Sequence, residues 1–176
     1  MISAFIAIPL VYVSYRLEGR VDLESRMINT GIQVFGTVIF VAITLLLRKF
    51  LNKTLAFHLT DKIIDLMIKI NVVIGAVSII SLYVKAIQES MSGFILVIIV
   101  IHGILQIVFG YKLLRLPNEL NGTLKPYSYI NIATGIFLAS IVLIPLGLLL
   151  GAISDVLLAT IFFQASRPTI DITIDG

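Results

Sequence analysis

The chain is 176 residues long, 59% hydrophobic and 13% charged, with a formal net charge of +3 and a mean hydropathy of +1.08. A soluble domain typically spends about a quarter of its residues on charge, so there is too little here to cover a water-facing globule. Without cysteine and with only His58 and His102, the chain has no disulfide, thiolate metal site, iron–sulfur cluster or cysteine nucleophile, and it lacks the histidines for two bis-histidine haems or a three-histidine zinc site.

Lipid must therefore be the solvent for most of the surface. In hydrocarbon every backbone amide needs an internal partner, which leaves helices or closed barrels. Barrel strands alternate apolar and polar residues in segments of roughly ten, whereas this chain has long unbroken apolar runs. The fold class is an all-α integral membrane protein, a bundle of four to five transmembrane helices over residues 1–166, followed by an extended tail at 167–176. Basic residues near helix ends account for the pI near 9.3 better than a nucleic-acid partner does.

Five apolar stretches follow in chain order. The first, 1–15, is uncharged and contains Pro9. It is short against the roughly 17 to 25 residues of a full span, and it lacks the basic start and cleavage site of a signal peptide, so it reads as a span. The second, 27–47, is closed by Arg48 and Lys49; the third, 63–84, carries Asp65 and Lys69 near its start; the fourth, 92–115, ends before Leu116-Pro117.

The fifth stretch, from Tyr127 to Phe163, has the single charge Asp155 and contains Pro145, Gly147 and Gly151. A straight helix of that length outruns the roughly 30 Å hydrocarbon layer. Pro145 removes a hydrogen bond to the Ile141 carbonyl and kinks the helix. The expectation is a span over 127–150 continuing to 163, kinked or broken near Pro145–Gly151; a span followed by a short re-entrant or interfacial helix is the alternative. Tyr12, Tyr15, Tyr83, Tyr111, Tyr127 and Tyr129 fall near the ends of these stretches, as aromatic belts do.

Between 16 and 26 every even position is charged, and the tail from Thr169 to Asp175 alternates polar residues with isoleucine. Period two with β-branched residues reads as strand. Five spans would put both segments on one membrane face, so a short β pairing of the 16–26 loop with the tail is one expectation. A charged loop and a frayed tail is the other.

Loops 48–62 and 112–126 hold seven of the lysines and arginines, against five on the opposite side. This bias places those loops and the N-terminus in the cytoplasm of a plasma or inner membrane, and the tail outside. The sequons at Asn52 and Asn121 then fall on the cytoplasmic side and go unused.

Ionisable groups inside spans are costly and are functional candidates by default. Asp65 and Lys69, four apart, share a helix face and can pair, with Asp61 one turn back and Thr60 placed as N-cap. The plainer account is a helix starting in the interface with acids on its dipole and Lys69 snorkelling. Asp155 lies on a row with Gly147, Gly151 and Ala159, where Gly147 and Gly151 form a small-xxx-small helix-packing motif. That carboxylate can bind a cation, take a proton, or do no more than pack or cap. His102 and Gln106, one turn apart, face the bundle interior with Asn71 and Asn131. A structural hydrogen bond is the plainer role for that histidine.

No Walker A, G-x-S-x-G or H-E-x-x-H sequence is present, nothing around Asp155 and Asp65 supports a protease pair, and no cofactor is implied. The expected function is non-catalytic, acting through helix contacts with the lipid bilayer, with itself as a homo-oligomer, or with another membrane subunit. The alternative is a small oligomeric channel or transporter with Asp155, His102 and Gln106 near its pathway. No inverted repeat is evident to favour a transporter.

Overall fold

A computed structural model describes residues 23–116 and 122–165, without the side chains of 85–92 and 95. The expected span at 1–15, the charges before Leu23, the Asn121 sequon and the tail at 167–176 lie outside the described residues. The described chain is all-helical: α1 (Leu23–Thr54), α2 (Asp61–Tyr83), α3 (Lys85–Leu113), α4 (Leu124–Ala139) and α5 (Ile144–Ala165). Four stretches are long and apolar enough to cross a membrane, namely α1, α2, the Leu96–Leu113 part of α3, and α5.

Each helix packs antiparallel on its neighbours in sequence. Thr30 meets Tyr83, and Arg48 meets Asp65, across α1 and α2; Lys112 reaches the Leu59 carbonyl before α2. One end of the bundle, the Arg48 end, therefore collects the C-termini of α1, α3 and α5 and the N-termini of α2 and α4. The apolar core lies there. Leu51, Ile64, Leu113 and Ile161, each at most 1% exposed, come from four different helices, and Leu124 and Tyr127 add the fifth. The Phe50 and Phe162 rings meet edge-on at 5.6 Å and close α5 onto α1. Towards Leu23 the packing thins, and the apolar window of α1 is only 6% buried.

The single long helix expected over 127–163 is two helices. Its break falls at Ser140–Leu143, earlier than the Pro145–Gly151 stretch. The Pro145 ring conflicts with a helical carbonyl four residues back, at Ile141, and Ile141 leaves the helix with φ 59. Pro145 then sits in the first turn of α5, where no amide proton is needed. Ser140 closes the turn. Its hydroxyl donates to the Phe137 carbonyl at 2.8 Å and accepts from the Leu143 amide at 3.3 Å. The two helices fold back as a hairpin, with Leu138 opposite Gly147 and Asn131 opposite Ser154.

The expected β pairing of the 16–26 loop with the tail finds no support among the described residues, and residues 16–22 and 167–176 lie outside them. Residues 23–26 are the first turn of α1, no strand occurs among the described residues, and α5 ends at the Arg48 end, away from Leu23.

Candidate functional site

Three polar groupings stand out from the apolar background. The first joins α1 to the start of α2. Arg48 Nε lies 3.3 Å from Asp61 and its Nη1 donates to Asp65 at 2.6 Å. Asn52 donates to both Asp61 oxygens, at 2.9 and 3.2 Å, and His58 Nδ1 stands 3.3 Å from the same carboxylate. Asp61 begins α2, where a negative charge complements the helix dipole. Thr60 holds the N-cap position without capping through its hydroxyl; its carbonyl takes the Ile63 and Ile64 amides instead. The expected pairing of Asp65 with Lys69 is replaced by Arg48. Lys69 is exposed beside Ile70, Val73, Ile98 and Ile101.

The second grouping lies inside the α4–α5 hairpin. Asn131 donates to the Tyr127 carbonyl at 2.9 Å and to the Ser154 hydroxyl at 3.0 Å. Asn131, Ser154, Ser128 and Thr134 are buried, and Thr123 donates to Gln164 at 2.9 Å near the hairpin's open ends. Asp155 follows Ser154 and is half-buried. The Asn131–Ser154 bond links α4 to α5, whereas the Ser128 hydroxyl donates to the Leu124 carbonyl within α4 and the Thr134 hydroxyl has no partner among the described residues.

The third grouping is on α3. Gln106 Nε2 lies 3.4 Å from His102 Nε2, and the His102 ring tilts against Phe40 of α1 at 6.1 Å. The structure thus brings His102 to Gln106, Asn131 beside the Asp155 turn, and Asp65 to Arg48. His102 faces α1, whereas the Asp155 turn bonds to α4. Among the described residues no three His, Asp or Glu side chains converge as a metal site.

The glycines carry the closest helix contacts. A Cβ on Gly103 would stand 2.6 Å from the Gly135 carbonyl oxygen, and one on Gly110 2.7 Å from the Ser128 carbonyl oxygen; one on Gly135 would collide with the Gly103 carbonyl. So α3 and α4 meet nearly backbone to backbone. Gly147 packs on Leu138, while Gly151 has only Thr134 nearby, at 3.9 Å. Sequence reasoning missed the α3–α4 seam and Arg48's role. The signal for the seam was a seven-residue spacing, Gly103 to Gly110 and Ser128 to Gly135, which returns small residues to one helix face.

Compared with protein-family models, curated proteins and solved structures, the chain matches none. Its functional reading therefore rests on geometry.

Proposed function

We propose that this chain is an integral membrane protein that performs no chemistry of its own and acts through helix contacts, as a homo-oligomer or as the accessory subunit of a larger membrane assembly. One observation carries the reading. The core gathers all five helices at the Arg48 end, yet the apolar window of α1 is 6% buried. Along that bare half, Gly31, Val34 and Val38 are exposed, and no described residue stands within 4 Å of a Cβ placed on Gly31. Residues spaced three and four apart share a helix face, and small residues let another helix approach closely. Gly103, Gly110, Gly135 and Gly147 are taken up by contacts within the fold, whereas Gly31 and Gly36 are open, so this stretch of α1 offers a surface to a partner.

The membrane placement follows the same logic. The α4–α5 turn exposes Ile141, Val142 and Leu143 to 51%, 84% and 37%, a tip that water disfavours. Its Val142, Leu143 and Ile144 amides find acceptors within the turn, which is what hydrocarbon demands. The hairpin brings α5 back to the Arg48 end. With the basic loops cytoplasmic, the end of α5 is cytoplasmic too, in place of the outward tail expected from a single fifth span.

The test is native mass spectrometry of the protein released from nanodiscs prepared gently from its own membrane. A defined homo-oligomer or a stoichiometric foreign subunit supports the proposal. A bare monomer under conditions that preserve known membrane complexes contradicts it.

A further inference from the structure

At the Arg48 end, α1 and α5 leave a groove of about 470 Å³, lined by Leu46, Lys49, Phe50, Lys53, Thr54 and Phe162. Its chemistry changes along its length. Leu46, Phe50 and Phe162 supply its apolar wall, with the two rings in edge contact, and Lys49 and Lys53 lie among them along α1, Lys53 nearest the helix end. Spaced by four, the lysines share a helix face with Cβ atoms about 5–6 Å apart. From Leu46 to Lys53 the helix rises about 10 Å, and long lysine side chains carry their ammonium groups outward along it, so apolar wall and positive charge span the depth at which acyl chain gives way to phosphate.

Both lysines are exposed, and neither forms an ion pair with the described acids. The nearby carboxylates are engaged elsewhere: Asp61 by Arg48, Asn52 and His58, and Asp65 by Arg48. Among the described residues the groove therefore carries two positive charges without a carboxylate partner, beside two aromatic rings. Charge complementarity selects an anion, and the apolar wall beneath selects one with a hydrocarbon tail.

We infer that this groove binds one anionic phospholipid per chain, its phosphate between Lys49 and Lys53 and its acyl chain along Leu46, Phe50 and Phe162. The inference rests on the membrane placement proposed above. A basic residue near an anionic lipid surface contributes about 1 kcal/mol, or roughly fivefold in affinity. Two lysines together give about 30-fold over a zwitterionic lipid.

The full chain is reconstituted in nanodiscs of phosphatidylcholine with graded phosphatidylglycerol, and retained lipids are counted by native mass spectrometry. The expected result is one phosphatidylglycerol per chain retained in preference to phosphatidylcholine. The double variant Lys49→Gln/Lys53→Gln loses that preference about 30-fold with its melting temperature unchanged, and Lys49→Arg/Lys53→Arg keeps it. Equal retention of both lipids by the natural chain, or an unchanged preference in the glutamine variant, overturns the site. Complete displacement by inorganic phosphate also overturns it, because a lone anion site would not need the apolar wall. Resistance to carbonate extraction, measured on the same preparation, separates failure of the site from failure of the membrane placement.

Discussion

Arg48 lies between two carboxylates of the following helix, and Lys69 takes neither. The partners are partly exposed, with side-chain exposures of 22% to 44%, so the network stabilises less than a buried one. Losing the shared cation while both acids stay costs about 1–2 kcal/mol, between the values for surface and buried pairs. Arg48→Met is expected to lower the melting temperature in detergent clearly, and Lys69→Met to leave it nearly unchanged. The reverse order would restore the Asp65–Lys69 pairing. Spacing within one helix made that pairing visible in the sequence. Arg48 was legible only as the end of a span, because its partner depends on how the 55–60 turn sets α2 against α1. There Ala56 adopts φ 49 and the Phe57 amide bonds back to the Leu51 carbonyl.

Helices are the level at which hydropathy is most informative, and α1, α2 and α3 fall where long apolar runs demand them. The fifth run was harder. Pro145 pointed to the Ile141 carbonyl as the weak point, but a kink and a reversal begin with the same broken hydrogen bond. What selects reversal is packing: Gly147 admits Leu138, and Asn131 bonds to Ser154 across the hairpin. The α3–α4 seam is held in the same way by close approach, since a Cβ on Gly103 would sit 2.6 Å from a backbone oxygen. Backbone cannot move aside as a flexible side-chain tip does, and overpacking typically costs about 1–3 kcal/mol. Gly103→Val is therefore expected to lower the melting temperature sharply. Gly93→Ala, on the same helix with nothing within 4 Å, raises it slightly, because alanine favours helix by up to about 1 kcal/mol. Equal effects of the two substitutions would remove the seam from the account.

At the scale of the whole molecule, the core at the Arg48 end, the bare half of α1 and the apolar α4–α5 turn support the proposed reading of a chain fitted to lipid. Composition and the long apolar runs made legible the helical fold of the described residues and its four helices long and apolar enough to cross a membrane. They did not show which end holds the core, because all the spans are similarly apolar. Nor did they show that α4 and α5 fold back as a hairpin, which brings the end of α5 to the Arg48 end of the bundle.

Labelling single-cysteine variants in intact, sealed membranes with a water-soluble maleimide tests this placement most directly, and the natural chain, lacking cysteine, supplies a clean background. Val142→Cys replaces the most exposed large hydrophobic among the described residues, at 84%, at a turn that the account places in lipid. The account predicts that Val142→Cys stays unlabelled until detergent is added, while Lys62→Cys and Ala165→Cys label from one and the same side. Prompt labelling of Val142→Cys in intact membranes, or labelling of Lys62→Cys and Ala165→Cys from opposite sides, would contradict it.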